Sequence, residues 1–350
     1  MPKAQKTNMN LQIPKNKNWK CLKELLSEAI KLLETANIDD AKQNVNLIAS
    51  KALNIEYTKL PLYWNNSVSD DFYKNFHAML ERRLKHEPLQ YILGEWCFLD
   101  FDINVGKGAL IPRPETEEVF LAAVEAIKAN SIKPDFKFAD VGTGTGILGL
   151  AMAKYFQKSI GFLLDISDEA LEIAYSNLLK YSKLFVQSND ENYGCTDCHC
   201  EQQVTRHCEK NEVFRGKWQS SNLYTLNNSR LNLVKSNLVE EFQANSLDVI
   251  ISNPPYIDSR EVLELMPEVV DYEPHLALDG GKDGLEIINK LQSQALEVLK
   301  NNGLLIFEHG HGQRNEIKKL LSPCWKIIKE GNDLADKERY FVLQLCKEKQ

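Results

Sequence analysis

The chain has 350 residues, 43% of them apolar and 26% charged, and a formal net charge of −7. This is ordinary globular usage at a length beyond the ~100–200 residues of one domain, so two domains are expected. No apolar run reaches the ~18 residues that cross a bilayer, so no membrane partner is expected.

The Lys- and Asn-rich start lacks the apolar stretch of a secretory signal; residues 1–19 read as a flexible tail and the protein as cytoplasmic. Residues 1–90 hold 14 Lys and Arg against 10 Asp and Glu, leaving 28 against 39 for the rest. An acidic main body argues against broad binding to phosphate backbones, so no direct nucleic-acid partner is expected.

Leu22, Leu25, Leu26, Ala29, Ile30 and Leu33 recur at the three-and-four spacing of an amphipathic helix. Val45, Ile48, Ala49 and Ala52 repeat it, as do Phe72, Phe76, Met79, Leu80 and Leu84. Residues 20–90 are therefore predicted to form a helical bundle without catalytic groups, and 91–133 a linker with a β-hairpin.

From about residue 134 the texture changes. Apolar, β-rich runs at 136–141, 160–165, 231–235, 247–252, 303–309 and 339–345 alternate with helical patterns. Strands this continuously apolar imply a mostly parallel sheet covered on both faces, with ligands bound beyond the carboxyl ends of its strands. Residues 134–350 thus read as one α/β domain. Within it, 186–230 are polar and aperiodic, and read as a surface insertion.

"ADVGTGTGIL" follows the first strand of that domain and opens a helix. Gly142, Gly144 and Gly146, with Thr143 and Thr145 between them, allow a sharp turn and close approach to a ligand. The spacing is GxGxG, whereas a dinucleotide fingerprint needs GxGxxG and finds Ile147 there; no Lys-Ser/Thr follows, as a P-loop requires. Asp140 before the loop repels a pyrophosphate but suits an ammonium group. Asp165, ending the next strand, can accept two hydrogen bonds from a ribose diol. Together these fit S-adenosylmethionine, a nucleoside with an amino-acid tail; a structural turn with Asp165 as a helix cap is the plain alternative.

"VIISNPPYID", 249–258, sets two prolines and an aromatic directly after a buried strand. An amide or aryl amine is a poor methyl acceptor because its nitrogen lone pair is delocalised. A site helps by accepting hydrogen bonds from the NH2, which aims the lone pair and disperses the growing positive charge. Asn253 offers a side-chain carbonyl and Pro254 a backbone carbonyl, the rings of Pro254 and Pro255 hold both in place, and Tyr256 offers a flat face. Both the exocyclic amine of adenine or cytosine and the side-chain amide of glutamine meet this requirement.

The chain resembles the HemK/PrmC family of protein-(glutamine-N5) methyltransferases. The resemblance rests on "QYILGEWCF" (90–98), "LIPRPETEE" (110–118), "DVGTGTG" (140–146), "ISNPPYI" (251–257), "YEPHLALDGGKDGL" (272–285) and "EHGHGQ" (308–313). It implies a helical domain that helps bind class 1 peptide chain release factors, joined to a seven-stranded class I methyltransferase domain. The activity implied is methylation of the Gly-Gly-Gln glutamine. Carried over by position, residues 142–146 and Asp165 bind the cofactor, Asn253 touches cofactor and substrate, and Pro254, Pro255 and Tyr256 receive the glutamine amide. Arg113 lies on the linking segment, where it orders that segment over the site or pairs with Glu115 or Glu117.

The chain departs from the family's pattern twice. "VKSNLVEEF" stands where an Asp and then an aromatic or other apolar residue are usual; Asn237 can accept from the adenine amine, while Leu238 packs on the ring without stacking as an aromatic does. "CTDCHCEQQVTRHC" places Cys195, Cys198, Cys200 and Cys208 with His199 and His207 in the insertion. Without a regular second half-site it reads as a loop of reduced cysteines and no metal, a zinc knuckle being the alternative. His309 and His311 read as packing or loop residues, and Arg339 as a partner of Asp333 or Asp336. The competing activities are amino-methyl transfer to adenine in nucleic acid, and a scaffold that has lost its chemistry.

Overall fold

The three-and-four spacing at the start of the chain becomes helices Leu22–Thr35, Ala41–Leu53, Asp70–Leu84 and Leu89–Leu93. The computed structural model describes residues 19–185, 223–225 and 229–347. The expected cysteine cluster, Cys195, Cys198, Cys200 and Cys208, lies outside the described residues, as does nearly all of 186–230. Of the described residues, those up to 95 together with 266–272 form one compact unit, and those of 96–265 with 273–347 the other.

In the helical unit Leu25, Leu33, Val45, Ile48 and Phe76 are fully buried and share one apolar cluster. Ser69 caps Asp70–Leu84 by accepting from the Phe72 amide at 3.3 Å, with Asp70 and Asp71 in the first turn and Arg82 and Arg83 in the last, as the helix dipole favours. Arg83 is buried. Its guanidinium reaches Asn44 Oδ1 at 2.6 Å, the Glu87 carbonyl at 3.0 Å and Glu268 Oε1 at 2.6 Å. Tyr272 adds a hydrogen bond to the Lys85 carbonyl at 2.7 Å. Segment 266–272 is thus held by a buried cation whose donors are satisfied, the condition under which such a charge is tolerated.

Apart from Glu95, the second unit holds the two-stranded ladder of β1 (Glu95–Phe98) and β2 (Phe101–Asn104). Its main sheet contains β3 (Lys137–Val141), β4 (Ile160–Asp165), β5 (Leu223–Thr225), β6 (Leu231–Lys235), β7 (Leu247–Ser252), β8 (Leu299–Glu308), β9 (Trp325–Asn332) and β10 (Glu338–Leu345). Their order is β5-β6-β4-β3-β7-β8-β10-β9. β6, β4, β3, β7 and β8 run parallel; β10 is antiparallel to both β8 and β9. This is the seven-stranded sheet of a class I methyltransferase, with β5 from the insertion added antiparallel at the β6 edge. Phe162, Val234, Ile250, Leu305, Phe307 and Phe341 are buried in its apolar core.

β3 is flanked by β4 on one side and β7 on the other. Strand order therefore reverses at β3, and a crevice opens beyond its carboxyl end, the usual ligand position in such sheets.

Candidate active site

At that crevice the chain leaves β3 through Gly142, Gly144 and Gly146, whose φ angles are +67°, +54° and +84°. These are left-handed conformations that a side chain resists. Gly146 must also be small, because a Cβ there would lie 3.2 Å from the Cβ of Ala174 on helix Asp168–Lys180. At Gly142 and Gly144 a Cβ would approach protein no closer than 3.9 Å, so the room a side chain would take lies beside the cavity. The turn is fixed by the Thr143 amide donating to the Leu164 carbonyl and the Gly146 amide to the Thr143 carbonyl, both at 2.8 Å.

Two carboxylates hold the loop from opposite sides. Asp165 Oδ2 accepts from the Gly144 amide at 2.9 Å and Oδ1 from the Ser167 amide at 3.0 Å, while the side chain still lines the cavity. Burial raises its pKa, against the pull of these amides. Asp140, expected to face an ammonium group, is turned inward instead. Its Oδ2 accepts from Thr143 Oγ1 at 2.6 Å and the Gly149 amide at 2.8 Å, and it is absent from the cavity wall. Burial pushes this carboxyl up to about 7. Its role is to tie the glycine turn to the helix that follows.

β7 ends level with β3: Ser252 pairs in register with Val141, and its hydroxyl donates to the Val141 carbonyl at 2.7 Å. Asn253 therefore emerges beside Gly142, and both line the same cavity. Its Nδ2 donates to Thr116 Oγ1 at 3.0 Å. Thr116 in turn donates to Glu308 Oε2 at 2.7 Å, and the Tyr256 hydroxyl donates to Glu308 Oε1 at 3.0 Å. Glu308 is fully buried, which pushes its carboxyl up to about 7. Burial and the Glu308 charge both raise the Tyr256 phenol, which stays protonated.

Among the described residues no donor reaches Asn253 Oδ1 or the Pro254 carbonyl. Pro255 is on the cavity wall, whereas Pro254 is buried and neither Pro254 nor Tyr256 lines the cavity. The Tyr256 ring packs against the sheet core and its hydroxyl serves Glu308.

The remaining sequence motifs buttress this corner. Ile257 pairs with Asp279 as an isolated bridge, its amide donating to the Leu278 carbonyl at 3.0 Å and its carbonyl accepting from the Gly280 amide at 2.9 Å. Gly284, at φ +67°, runs so close that a Cβ would sit 2.1 Å from the Tyr256 carbonyl oxygen. Gln313 Nε2 donates to that same oxygen at 2.8 Å, while its Oε1 accepts from the Gly310 amide at 2.8 Å. "DGGKDG" and "EHGHGQ" are thus the clamp on the backbone of Asn-Pro-Pro-Tyr.

Arg113 pairs with neither Glu115 nor Glu117. Its guanidinium meets Glu273 Oε1, whose other oxygen accepts from the Ile111 amide at 3.2 Å. Glu273 is buried, so this is a bridge within the fold that fixes segment 111–113, and Arg113 is absent from the cavity wall. Glu117 accepts from the Leu99 amide instead. Arg339 pairs with Asp333. His309 is buried, its pKa pushed down to about 4 by burial, and its Nδ1 lies 2.8 Å from the Gly310 carbonyl.

Around the cavity stand Gly142, Thr143, Gly144 and Thr145 from the loop, Asp165, Asn237 and Leu238 beyond the neighbouring strands, and Asn253 and Pro255 from the corner. Gly146 is part of the turn but faces helix Asp168–Lys180. Leu238 has φ +58°, uncommon for a branched apolar side chain, and Ser236 Oγ donates to its carbonyl at 2.9 Å. Sequence reasoning missed Thr116, Ile287 and Pro274 on the wall and Glu308 behind it. The signal for Glu308 was a lone acid ending an apolar strand, which burial alone makes conspicuous. No group of three or more His, Cys, Asp or Glu among the described residues is arranged to hold a metal.

Residues 24–94 match the family model described as the PrmC N-terminal domain, and residues 161–309 that of the Eco57I restriction-modification methylase. A release factor glutamine methyltransferase of Thermodesulfovibrio yellowstonii is 30% identical over 295 residues, 84% of this chain and 89% of that protein. One of Clostridium acetobutylicum is 28% identical over 321 residues, 91% of this chain and 96% of that protein. Among solved structures, ribosomal protein L11 methylase from Lactobacillus delbrueckii subsp. bulgaricus is 18% identical with a TM-score of 0.41, covering 70% of this chain and 86% of that one.

Proposed function

Because the chain belongs to the release factor glutamine methyltransferase family, we propose that it moves a methyl group from S-adenosylmethionine to the side-chain amide nitrogen of the Gly-Gly-Gln glutamine in class 1 peptide chain release factors. The observation that carries this reading is the placement of Asn253. Its NH2 is committed to Thr116, so its carbonyl oxygen is the end left to accept from a substrate, beside the glycine turn and Asp165.

The donor fits the residues present. Asp165 keeps lone pairs for a ribose diol after accepting one amide on each oxygen. Asn237 can accept from the adenine amine, and Leu238 and Ile287 supply apolar walls for the base. The turn at 142–145 leaves room for an amino-acid tail. When bound, the donor supplies an electrophilic methyl on a sulfonium.

The protein's own contribution is orientation. Asn253 Oδ1 faces the cavity, and the Pro254 carbonyl, set behind the cavity wall and without a donor among the described residues, is the second acceptor the glutamine amide would have to reach. Both are on a corner whose φ angles are narrowed by proline rings and whose backbone is gripped by Gly284 and Gln313. Two acceptors hold a planar NH2 with its lone pair out of their plane and disperse the charge that grows on nitrogen. Buried walls around Asn253 keep these hydrogen bonds from competing with water.

Mass spectrometry of a release factor incubated with the protein and S-adenosylmethionine tests the proposal. One methyl on the Gly-Gly-Gln glutamine is expected, lost with Asn253→Ala. The match of 161–309 to a restriction-modification methylase model favours a second reading, amino-methyl transfer to adenine. Tritiated donor offered with release factor and with unmethylated DNA separates the two, since label on DNA alone reverses the choice. The match of residues 24–94 to the PrmC N-terminal domain and the excess of acidic residues beyond residue 90 favour the protein substrate.

A further inference from the structure

Asn253 has two chemically opposite ends of nearly equal shape, and only one of them works. If its NH2 faced the cavity it would repel a substrate NH2 instead of accepting from it. We propose that Glu308, acting through the Thr116 hydroxyl, dictates which end of the Asn253 amide faces the cavity, making Glu308 and Thr116 positioning residues for the methyl acceptor. The inference rests on the reading of Asn253 given above.

The number of available protons sets the orientation. A threonine hydroxyl has one hydrogen to give and lone pairs to receive with. Thr116 Oγ1 lies 2.7 Å from Glu308 Oε2 and 3.0 Å from Asn253 Nδ2. Against an ionised carboxylate, which only accepts, the hydroxyl must donate its hydrogen to Glu308. It is then left solely an acceptor toward Asn253, so Asn253 must present NH2 to it and turn Oδ1 to the cavity. The Tyr256 hydroxyl, donating to Glu308 Oε1 at 3.0 Å, occupies the other carboxylate oxygen and reinforces its acceptor character.

Thr116 sits in the first turn of helix Pro114–Ala129, and Glu308 ends β8, the strand beside β7. The relay is therefore built on rigid elements. All three side chains are at least partly buried, so water is a poor substitute for any link.

Protonating Glu308 releases the relay. With the proton on Oε2 the carboxyl donates to Thr116, which frees the threonine hydrogen to turn to Asn253 and removes the constraint on the amide, so the rotated Asn253 becomes populated. The groups facing Glu308 are the Tyr256 hydroxyl from the corner, Arg339 on β10 and Glu115 on helix Pro114–Ala129. Arg339 favours the ionised form but is shared with Asp333; Glu115 and burial oppose it, leaving the carboxyl at about 7. Activity should fall as pH drops through that range.

The test uses full-length protein with Thr116→Val, Thr116→Ser and Glu308→Gln. Release factor methylation should lose ~10- to 100-fold in kcat with Thr116→Val, while Thr116→Ser restores it to within about threefold. Cofactor affinity measured by calorimetry should hold within about threefold, because the relay orients the acceptor. The acid limb near pH 7 should be present in the wild type and missing in Glu308→Gln. Thr116→Val retaining wild-type kcat, or an unchanged acid limb in Glu308→Gln, overturns the proposal. A substrate-free readout keeps it decisive even if release factor proves not to be the acceptor. In 15N-labelled protein the Asn253 side-chain NH2 signal, assigned by its loss in Asn253→Ala, should titrate near pH 7 in the wild type and be insensitive to pH in Glu308→Gln. An Asn253 signal that ignores pH in the wild type overturns the relay, whereas a wild type silent on release factor overturns only the assigned substrate.

Discussion

Gly284→Ala should damage catalysis out of proportion to its size. Gly284 has φ +67°, and a Cβ added there would lie 2.1 Å from the Tyr256 carbonyl oxygen and 2.6 Å from Gln313 Nε2. The left-handed backbone costs an alanine about 1 kcal/mol. The overlap is with backbone, which has no rotamer to swing aside, and relieving it costs roughly 1–3 kcal/mol more. The sum is about 2–4 kcal/mol. Gly312→Ala provides the control: its φ is +85°, yet nothing lies within 4 Å of the added Cβ, so only the conformational part applies. Guanidinium unfolding of the two variants should therefore differ by about 1–3 kcal/mol, a difference assignable to the contact with Tyr256. Relief of the overlap pushes the Asn-Pro-Pro-Tyr corner outward, and a shift on the order of 1 Å in a positioning group costs about 100-fold in turnover. Equal stability of Gly284→Ala and Gly312→Ala, with kcat preserved in both, would falsify the view that the "DGGKDG" segment clamps the corner.

Asp165→Ala should weaken S-adenosylmethionine binding by ~10- to 100-fold, the equivalent of about 1.5–3 kcal/mol for charge-assisted hydrogen bonds, measured by calorimetry; an unchanged Kd removes the carboxylate from the diol site. Leu238→Phe should tighten the same Kd by ~3- to 10-fold, since a ring stacks on a planar base where leucine only packs, and the strained φ of +58° is kept. Asp140 and Glu308 both titrate near 7 in the fold, above their ordinary range. Between about pH 4 and 7 the native state thus holds protons that the unfolded chain has released, so their contribution is most favourable below pH 4 and is lost as pH rises to about 7. Unfolding free energies from urea titrations should fall across that window by up to about 1.4 kcal/mol per pH unit for each group, and Asp140→Asn should flatten the trend; a slope unaffected by that change contradicts the burial of an ionisable Asp140.

What the sequence determined by itself was everything governed by local chemistry. Continuous apolar runs gave β3, β4, β6 and β7 to within a residue, because strands buried on both faces have no polar alternation to blur their ends. The glycine spacing fixed the turn after β3, and the prolines fixed the corner after β7, since both act through φ angles of the residues concerned. β9 escaped notice: Trp325–Asn332 carries Lys326, Lys329 and Glu330 on an edge strand, where exposure removes the apolar signature.

Only the tertiary structure decided which groups face one another across long stretches of chain. Thr116 and Glu308 are 192 residues apart, and Asn253 lies 137 from Thr116. No periodicity connects them. The same packing turned Asp140 away from the cavity, aimed the Tyr256 hydroxyl at Glu308 and bound Arg113 to Glu273. A side chain's type is written in the chain, but the direction of its hydrogen bonds depends on which partners burial places within reach.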